Sequence, residues 1–257
     1  MSKWTTFPQA GEFKFDVSRV KQDWDRLHAG DAEPLPKDPL VLQAWALFHS
    51  GEFQKSADVG LKAGGAGLNV ANKATCVYAT HLETKEKPRL DLYLEVAKRA
   101  EAMLLADPHG ANAHFWHGYA LGRYSQGVSV AKALALGLSG KVKSALETTI
   151  KLQPNHADAH VALGTFHAEV IDKVGTLIGG MTYGAKKDIG LQMFQAAFKL
   201  NPISSSGLVE YANALVMLEG EKKMNEATLL YEQAAAMDPL DALEWLDVKM
   251  AKAELEY

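Results

Sequence analysis

The chain lacks the features typical of disulfide-stabilised, nucleic-acid-binding and membrane-spanning proteins. Its 257 residues include one cysteine, Cys76, which excludes an internal disulfide and a cysteine-based zinc knuckle. The 27 lysines and arginines are outnumbered by 31 aspartates and glutamates, and there is no basic tract, so the net charge of −4 argues against nucleic acid as a partner. No run of about 18 uncharged apolar residues occurs, so we expect no integral membrane segment.

The remaining composition is that of a folded globular chain. Hydrophobic residues make up 47% and charged residues 23%, far from the signature of disorder. The N-terminal residues contain no apolar run of signal-peptide length, so we expect a cytoplasmic protein. The chain also has no phosphate-binding loop, nucleophile elbow or metalloprotease helix, and we therefore expect no cofactor and no enzymatic activity.

Four of the nine prolines close similar helical segments. They are Pro108, Pro154, Pro202 and Pro239. The residue before a proline disfavours the α conformation, so each of these prolines stops a helix. A new amphipathic segment follows each stop, and we expect helices at Ala111–Tyr124, Ala157–Val170, Ser205–Leu218 and Asp241–Leu255. Ten residues after three of the prolines stands a small residue that allows two helices to approach closely: Gly118, Gly164 and Ala212.

This register resembles the tetratricopeptide repeat, a helix–turn–helix unit of about 34 residues. The best copy has Ala227, Tyr231, Ala234 and Pro239 where the motif has small, aromatic, small and proline residues. The resemblance implies an all-α fold, a right-handed α-solenoid of tetratricopeptide-like (TPR-like) helix hairpins with a C-terminal helix. We expect this repeat domain to span residues 39–257, preceded by an N-terminal helix and a proline-containing linker in residues 1–38.

Two of the repeats carry apolar insertions. Successive prolines lie 46, 48 and 37 residues apart, so two repeats exceed the unit length by about a dozen residues. The extra residues, 125–140 and 169–184, fall between the two helices of consecutive repeats and project from the same edge. We expect these insertions to pack on each other, and the alternative is that they cover an opening of the stack.

The insertions narrow the resemblance. Residues 136–164, the glycine-rich insertion and residues 186–202 together resemble a divergent group of tetratricopeptide proteins. This group includes bacterial partners of TRAP-type solute transporters and eukaryotic regulators of microtubule dynamics. The resemblance covers residues 90–257 and implies helical scaffolding, with an internal channel for a small hydrophobic ligand in the bacterial members. Those members are exported and membrane-tethered, and because the N-terminal residues here match neither a signal segment nor a lipid-acceptor site, we do not expect this location or the transporter role.

The concave face of a tetratricopeptide stack is lined by the first helix of each repeat. The corresponding positions here are mostly apolar, with a few polar points that include Asp158, and one cation stands close to them. We predict a partner- or ligand-binding groove formed by Trp45, Phe48, Asn112, Phe115, Tyr119, Arg123, Val161, Thr165, Val209 and Asn213. The alternative is that the insertions and the terminal helix cover these residues and make them core.

The histidines are a weaker candidate site. His156 and His160 are four residues apart on one helix face, a spacing that suits zinc, but the residues between them lack the glutamate of a metalloprotease. His114 occupies the same repeat position as His160, so stacking could bring the two together. We predict packed structural roles for His114, His156 and His160, and metal binding is the alternative.

The expected function is a non-catalytic adaptor that holds an apolar segment of a protein or peptide partner in its groove. A carrier of a small hydrophobic ligand, in a cavity covered by the insertions, is the first alternative. An enzyme with a histidine-bound metal is the second.

Overall fold

The structure, a computed structural model, describes residues 3–256 and is all-α over that range, with no β-strand. The expected all-α class is therefore confirmed. The helices are α1 (Val17–Gln22), α2 (Trp24–Leu27), α3 (Pro39–His49), α4 (Phe53–Ala63), α5 (Gly67–His81), α6 (Glu86–Ala106), α7 (Ala111–Gln126), α8 (Val130–Ala135), α9 (Leu138–Leu152), α10 (Ala157–Tyr183), α11 (Lys187–Leu200), α12 (Ser205–Glu219), α13 (Met224–Ala235) and α14 (Ala242–Glu254). A 3-10 turn over Gly220–Lys223 joins α12 to α13.

The prolines end helices where the sequence predicts. Helices α6, α9 and α11 each stop two residues before Pro108, Pro154 and Pro202, and α13 stops ahead of Pro239. The next helices, α7, α10, α12 and α14, begin within three residues of each proline. Two of the three predicted close approaches are also present: a Cβ on Gly118 would lie 3.1 Å from Ala145, and one on Gly164 would lie 2.7 Å from the Phe194 ring.

Alternate helices form an inner layer. Helices α3, α5, α7, α10, α12 and α14 each pack against the next member of this series, and α14 packs in turn against α3. The inner layer therefore closes on itself as a ring, while α4, α6, α9, α11 and α13 pack between its members on the outside. A ring of this kind encloses a central space rather than an open concave face.

The N-terminal segment and the last helix hold this ring together. Trp4, Phe7 and Phe15 share one hydrophobic cluster with Trp45 and Phe48 of α3, and the same cluster includes Leu246 of α14. The His49 ring Nδ1 lies 2.6 Å from the Asp241 carboxylate at the start of α14. Residues from both ends of the chain are thus packed into a single core.

The two insertions take different forms. The first contains the short helix α8, whereas the second is a continuation of α10 beyond a break at Gly175, whose φ of 79° favours glycine. Val128 and Tyr183, one from each insertion, pack against the same hydrophobic cluster as Phe115. Leu177 and Met181, by contrast, are exposed. The inward faces of the insertions thus meet one cluster in the interior of the ring.

Candidate functional site

The central pocket is a cavity of about 210 Å³ inside the ring. Its walls come from the inner helices α5, α7, α10, α12 and α14, and both insertions contribute to its lining. Exposed Val130 and Leu134 of the first insertion and exposed Lys173 of the second mark its mouth. Residues of both insertions therefore line the pocket and its mouth, and the insertions also pack on a common cluster.

One wall of the central pocket is apolar. Phe115 and Trp116 of α7 are buried, with ring centroids 4.8 Å apart, and Val161 of α10 lines the same space. Tyr119 follows one helical turn after Phe115, at a centroid distance of 5.7 Å. Burial raises the pKa of the Tyr119 hydroxyl, so the ring remains neutral. This wall provides aromatic and aliphatic surface for an apolar guest.

Arg123, the predicted groove cation, is already paired. Its guanidinium lies 2.5 Å from the Glu210 carboxylate and stacks over the Tyr119 ring at 5.2 Å. The Thr165 hydroxyl donates to the other Glu210 oxygen at 3.0 Å. Arg123 therefore ties α7 to α12 across the pocket and does not offer a free positive charge to a carboxylate ligand.

The acidic end of the central pocket is formed by Lys73, His81, Asp158 and Asp247. The Lys73 ammonium is bound to the Asp31 carboxylate at 2.6 Å, and the His81 ring Nε2 lies 3.3 Å from Asp247. The Asp158 carboxylate, by contrast, has no hydrogen bond or ion pair within residues 3–256, although its backbone N–H donates to the Gly30 carbonyl. The pocket thus contains one unpartnered carboxylate.

Burial raises the pKa of Asp158 to about 7, while nearby Lys73 lowers it and the carboxylates of Asp31 and Asp247 raise it. The ordinary value is 3.8. The folded protein therefore holds a proton that the unfolded chain releases between about pH 4 and 7, so this group lowers stability increasingly as pH rises through that range.

We expect the Asp158→Asn variant to be more stable than the wild type at pH 8 by about 2 kcal/mol, with a smaller gain at pH 5. The amide keeps the shape of the side chain and removes the unpaired charge. Urea unfolding at the two pH values measures the gain, and Asp172→Asn, an exposed aspartate of the same helix, is the matched control that should change little. An equal gain at both pH values would contradict the assigned charge.

A buried polar network lies behind the acidic end. The Asp31 carboxylate also contacts the His28 ring Nδ1 at 2.9 Å, and the Glu33 carboxylate accepts hydrogen bonds from Asn69 and Asn112. Burial and then Asp31 raise the pKa of Glu33 to about 7. Gly30 lies against the Asp158 carboxylate, where a Cβ would overlap it. Residues 28–33 therefore pack directly behind the acidic end of the pocket.

Five of the ten predicted groove residues line the central pocket: Phe115, Tyr119, Arg123, Val161 and Thr165. The other five lie elsewhere. Trp45 and Phe48 are buried in the core of α3, and Val209 is buried among α12 to α14. Asn112 bonds Glu33 and His156, and the Asn213 side chain accepts a hydrogen bond from the Tyr231 hydroxyl at 2.6 Å.

The three candidate histidines have protein partners. The His156 Nδ1 accepts from the Ala159 N–H and caps α10, so its Nε2–H donates to Asn112. Burial lowers the pKa of His156 to about 4. His160 bonds the His156 carbonyl, and His114 bonds the Pro108 carbonyl. Residues 3–256 contain no group of three potential ligands that could hold a metal ion.

Sequence reasoning missed Glu210 and Asp247, although a repeat signal marks them. Both stand eight residues after a proline, and Trp116 and Ala162 occupy the same position and line the pocket too. The groove positions taken from the tetratricopeptide pattern do not include the position eight residues after the proline. Lys73 carries no such signal because it precedes the first of the four prolines.

Over residues 3–256, the ring of helices and its pocket define an all-helical protein with an internal pocket. Within residues 3–256, none of the helices combines the length and the apolar character needed to cross a bilayer. The family model "Regulator of microtubule dynamics protein 1-3" matches residues 68–254, most of the chain, and the chain belongs to that family. No curated protein matches it.

Proposed function

We propose that the protein is a non-catalytic adaptor that binds an apolar segment of a protein partner in the central pocket. The observation that carries this proposal is the pocket itself, an aromatic and aliphatic cavity with a mouth between the insertions. Buried aromatic anchors and the pockets that receive them dominate the energetics of protein interfaces. Phe115, Tyr119 and Val161 are the receiving surface.

The size of the pocket favours anchoring side chains over a large small-molecule ligand. Sites for drug-sized molecules have volumes of about 300–1,000 Å³, whereas this cavity is about 210 Å³. A cavity below that range suits one or two apolar side chains of a segment whose remaining residues lie outside the mouth.

The same proposal includes the arrangement of the helix pairs as a solenoid of repeats. The proline-closed helix pairs support TPR-like repeats in a right-handed solenoid, curled so tightly that α14 reaches α3. The family name refers to the regulation of microtubule dynamics, and we therefore take a protein of the microtubule system as the first partner to test. The proposed place of this interaction is the cytoplasm. The protein would act as a scaffold for that partner.

A small hydrophobic ligand is the second candidate occupant. The coverage of the pocket by Val128, Val170 and Tyr183 of the insertions favours it, since an enclosed apolar cavity retains a ligand that an open groove would release. Native mass spectrometry of the purified protein distinguishes the two, because a carrier retains its ligand during purification and an adaptor shows the mass of the chain alone.

Filling the pocket tests the adaptor. Gly122 lines the pocket, and a Cβ there would meet only Val142, at 3.8 Å, so the side chain of Gly122→Phe leaves the helix without a clash at its first carbon and extends from the pocket wall. The matched control is Gly140→Phe on α9, where a Cβ would meet nothing within 4 Å. Both variants and the wild type are immobilised and incubated with a tubulin preparation that contains its associated proteins.

We expect Gly122→Phe to retain at least tenfold less of the bound proteins than the wild type and Gly140→Phe, as quantified by mass spectrometry. Far-ultraviolet circular dichroism checks that both variants are folded. Equal retention by all three proteins would show that the pocket is not the binding site.

A further inference from the structure

The acidic end of the central pocket has an excess of negative charge. Asp31, Asp158, Asp241 and Asp247 influence one another or the one ammonium among them, that of Lys73. The Lys73 ammonium forms an ion pair with the Asp31 carboxylate at 2.6 Å, and the Asp241 carboxylate faces the His49 ring. Three of these carboxylates, those of Asp31, Asp158 and Asp241, therefore act on a single lysine, and the fourth, that of Asp247, acts on Asp158.

The histidines of this region do not supply the balancing charge to Asp158. Burial lowers the pKa of His28 to about 4, so His28 is neutral near pH 7. His49 and His81 contact Asp241 and Asp247. Asp158, half-buried on the pocket wall, has neither an ion pair nor a side-chain hydrogen bond within residues 3–256. Asp158 is therefore the carboxylate of the acidic end that is free to pair with a cation in the pocket.

We propose that Asp158 binds the ammonium group of a lysine side chain carried by the apolar partner segment. This inference rests on the proposed function and adds the chemistry of one anchor. The methylenes of a lysine would lie along the apolar wall at Phe115 and Val161, and its ammonium would reach the acidic end. A metal ion is disfavoured because the described residues provide no group of three ligands.

Three probes with the same eight-carbon chain separate charge from apolar burial: octylammonium, octanol and octanoate. Their affinities are measured by isothermal titration calorimetry at pH 8 for the wild type, Asp158→Asn and the exposed-site control Asp172→Asn. We expect the wild type and the control to bind octylammonium at least tenfold more tightly than octanol, and octanoate more weakly than either. In Asp158→Asn the preference for octylammonium should disappear while the affinity for octanol stays unchanged.

The outcomes distinguish this inference from the function beneath it. Equal affinities of the wild type for octanol and octylammonium would overturn the lysine anchor and leave the apolar pocket in place. Binding of none of the three probes would count against the pocket as an apolar site. A fourth probe with the same chain, octylguanidinium, tests the head group, and binding as tight as that of octylammonium would overturn the assignment to lysine.

A pH series provides a second readout. Asp158 must be ionised to bind a cation, and its pKa of about 7 means that the ionised fraction rises about tenfold between pH 6 and 8. We expect the affinity of the wild type for octylammonium to rise by a similar factor, and that of Asp158→Asn to stay nearly constant. The other charged or titratable groups facing this carboxylate are Lys73, His81, Asp31 and Asp247. A rise that persists in Asp158→Asn would overturn the assignment to Asp158.

Discussion

Replacing Lys73 by methionine should lower the free energy of unfolding by about 3–5 kcal/mol. The Lys73 ammonium is buried between the Asp31 carboxylate and the rings of Trp45 and Phe48, 5.7 and 5.5 Å away. Burial alone would raise the pKa of Asp31, but Lys73 and then His28 lower it well below its ordinary value, so Asp31 is ionised. Without the lysine, a buried negative charge loses its main partner.

Urea unfolding followed by circular dichroism at pH 7 measures this loss. Lys87→Met is the matched control, because Lys87 pairs with Asp91 on the surface and its removal should cost less than about 0.5 kcal/mol. The double variant Lys73→Met with Asp31→Asn should lose less than the sum of the single variants, and it keeps the test decisive if the single variant does not fold. A loss below about 1 kcal/mol for Lys73→Met would show that the pair is solvated.

Replacing Phe115 by alanine should lower the free energy of unfolding by about 3–5 kcal/mol. The Phe115 side chain is 3% exposed, and its ring lies 4.8 Å from Trp116 and 4.5 Å from His156 between centroids. Truncation removes these contacts and leaves a cavity that the surrounding helices cannot fully close. Phe115 therefore belongs both to the pocket wall and to the core.

Guanidinium chloride unfolding checks this result. Leu105→Ala is the control, since Leu105 is 85% exposed and should change stability by less than about 0.5 kcal/mol. If Phe115→Ala lowered the free energy of unfolding by less than about 1 kcal/mol, the Phe115 side chain would face solvent, and the circle of inner helices would be open in solution. A large loss of stability in Phe115→Ala would confound a binding measurement. Gly122→Phe, which adds a side chain at the pocket wall and removes none, is therefore the better probe of binding.

The fold class and the helix ends next to the prolines follow from local patterns in the sequence, whereas α10 runs to Tyr183 although an end at Val170 was predicted. Pro154 acts on the residue before it, and Gly164 permits close packing whatever the partner helix is, so both effects are visible without a tertiary structure. Phe115, Tyr119 and Val161 were found because helical spacing places them on the predicted inner face. These inferences depend on neighbours within a few turns of the chain.

The closing of the pocket and the pairing of the charges around it could be seen only in the tertiary structure. The pairing of Lys73 with Asp31 spans 42 residues, and that of His49 with Asp241 spans 192. Trp45 and Phe48 were predicted to line the groove but lie in the core, because the N-terminal segment covers α3. Helical periodicity does not encode that contact. Sequence by itself determined where helices form and which faces they bury. Only the closing of α14 against α3 decided that the groove is a pocket and that Asp158 is left without a partner, because both result from packing between distant segments.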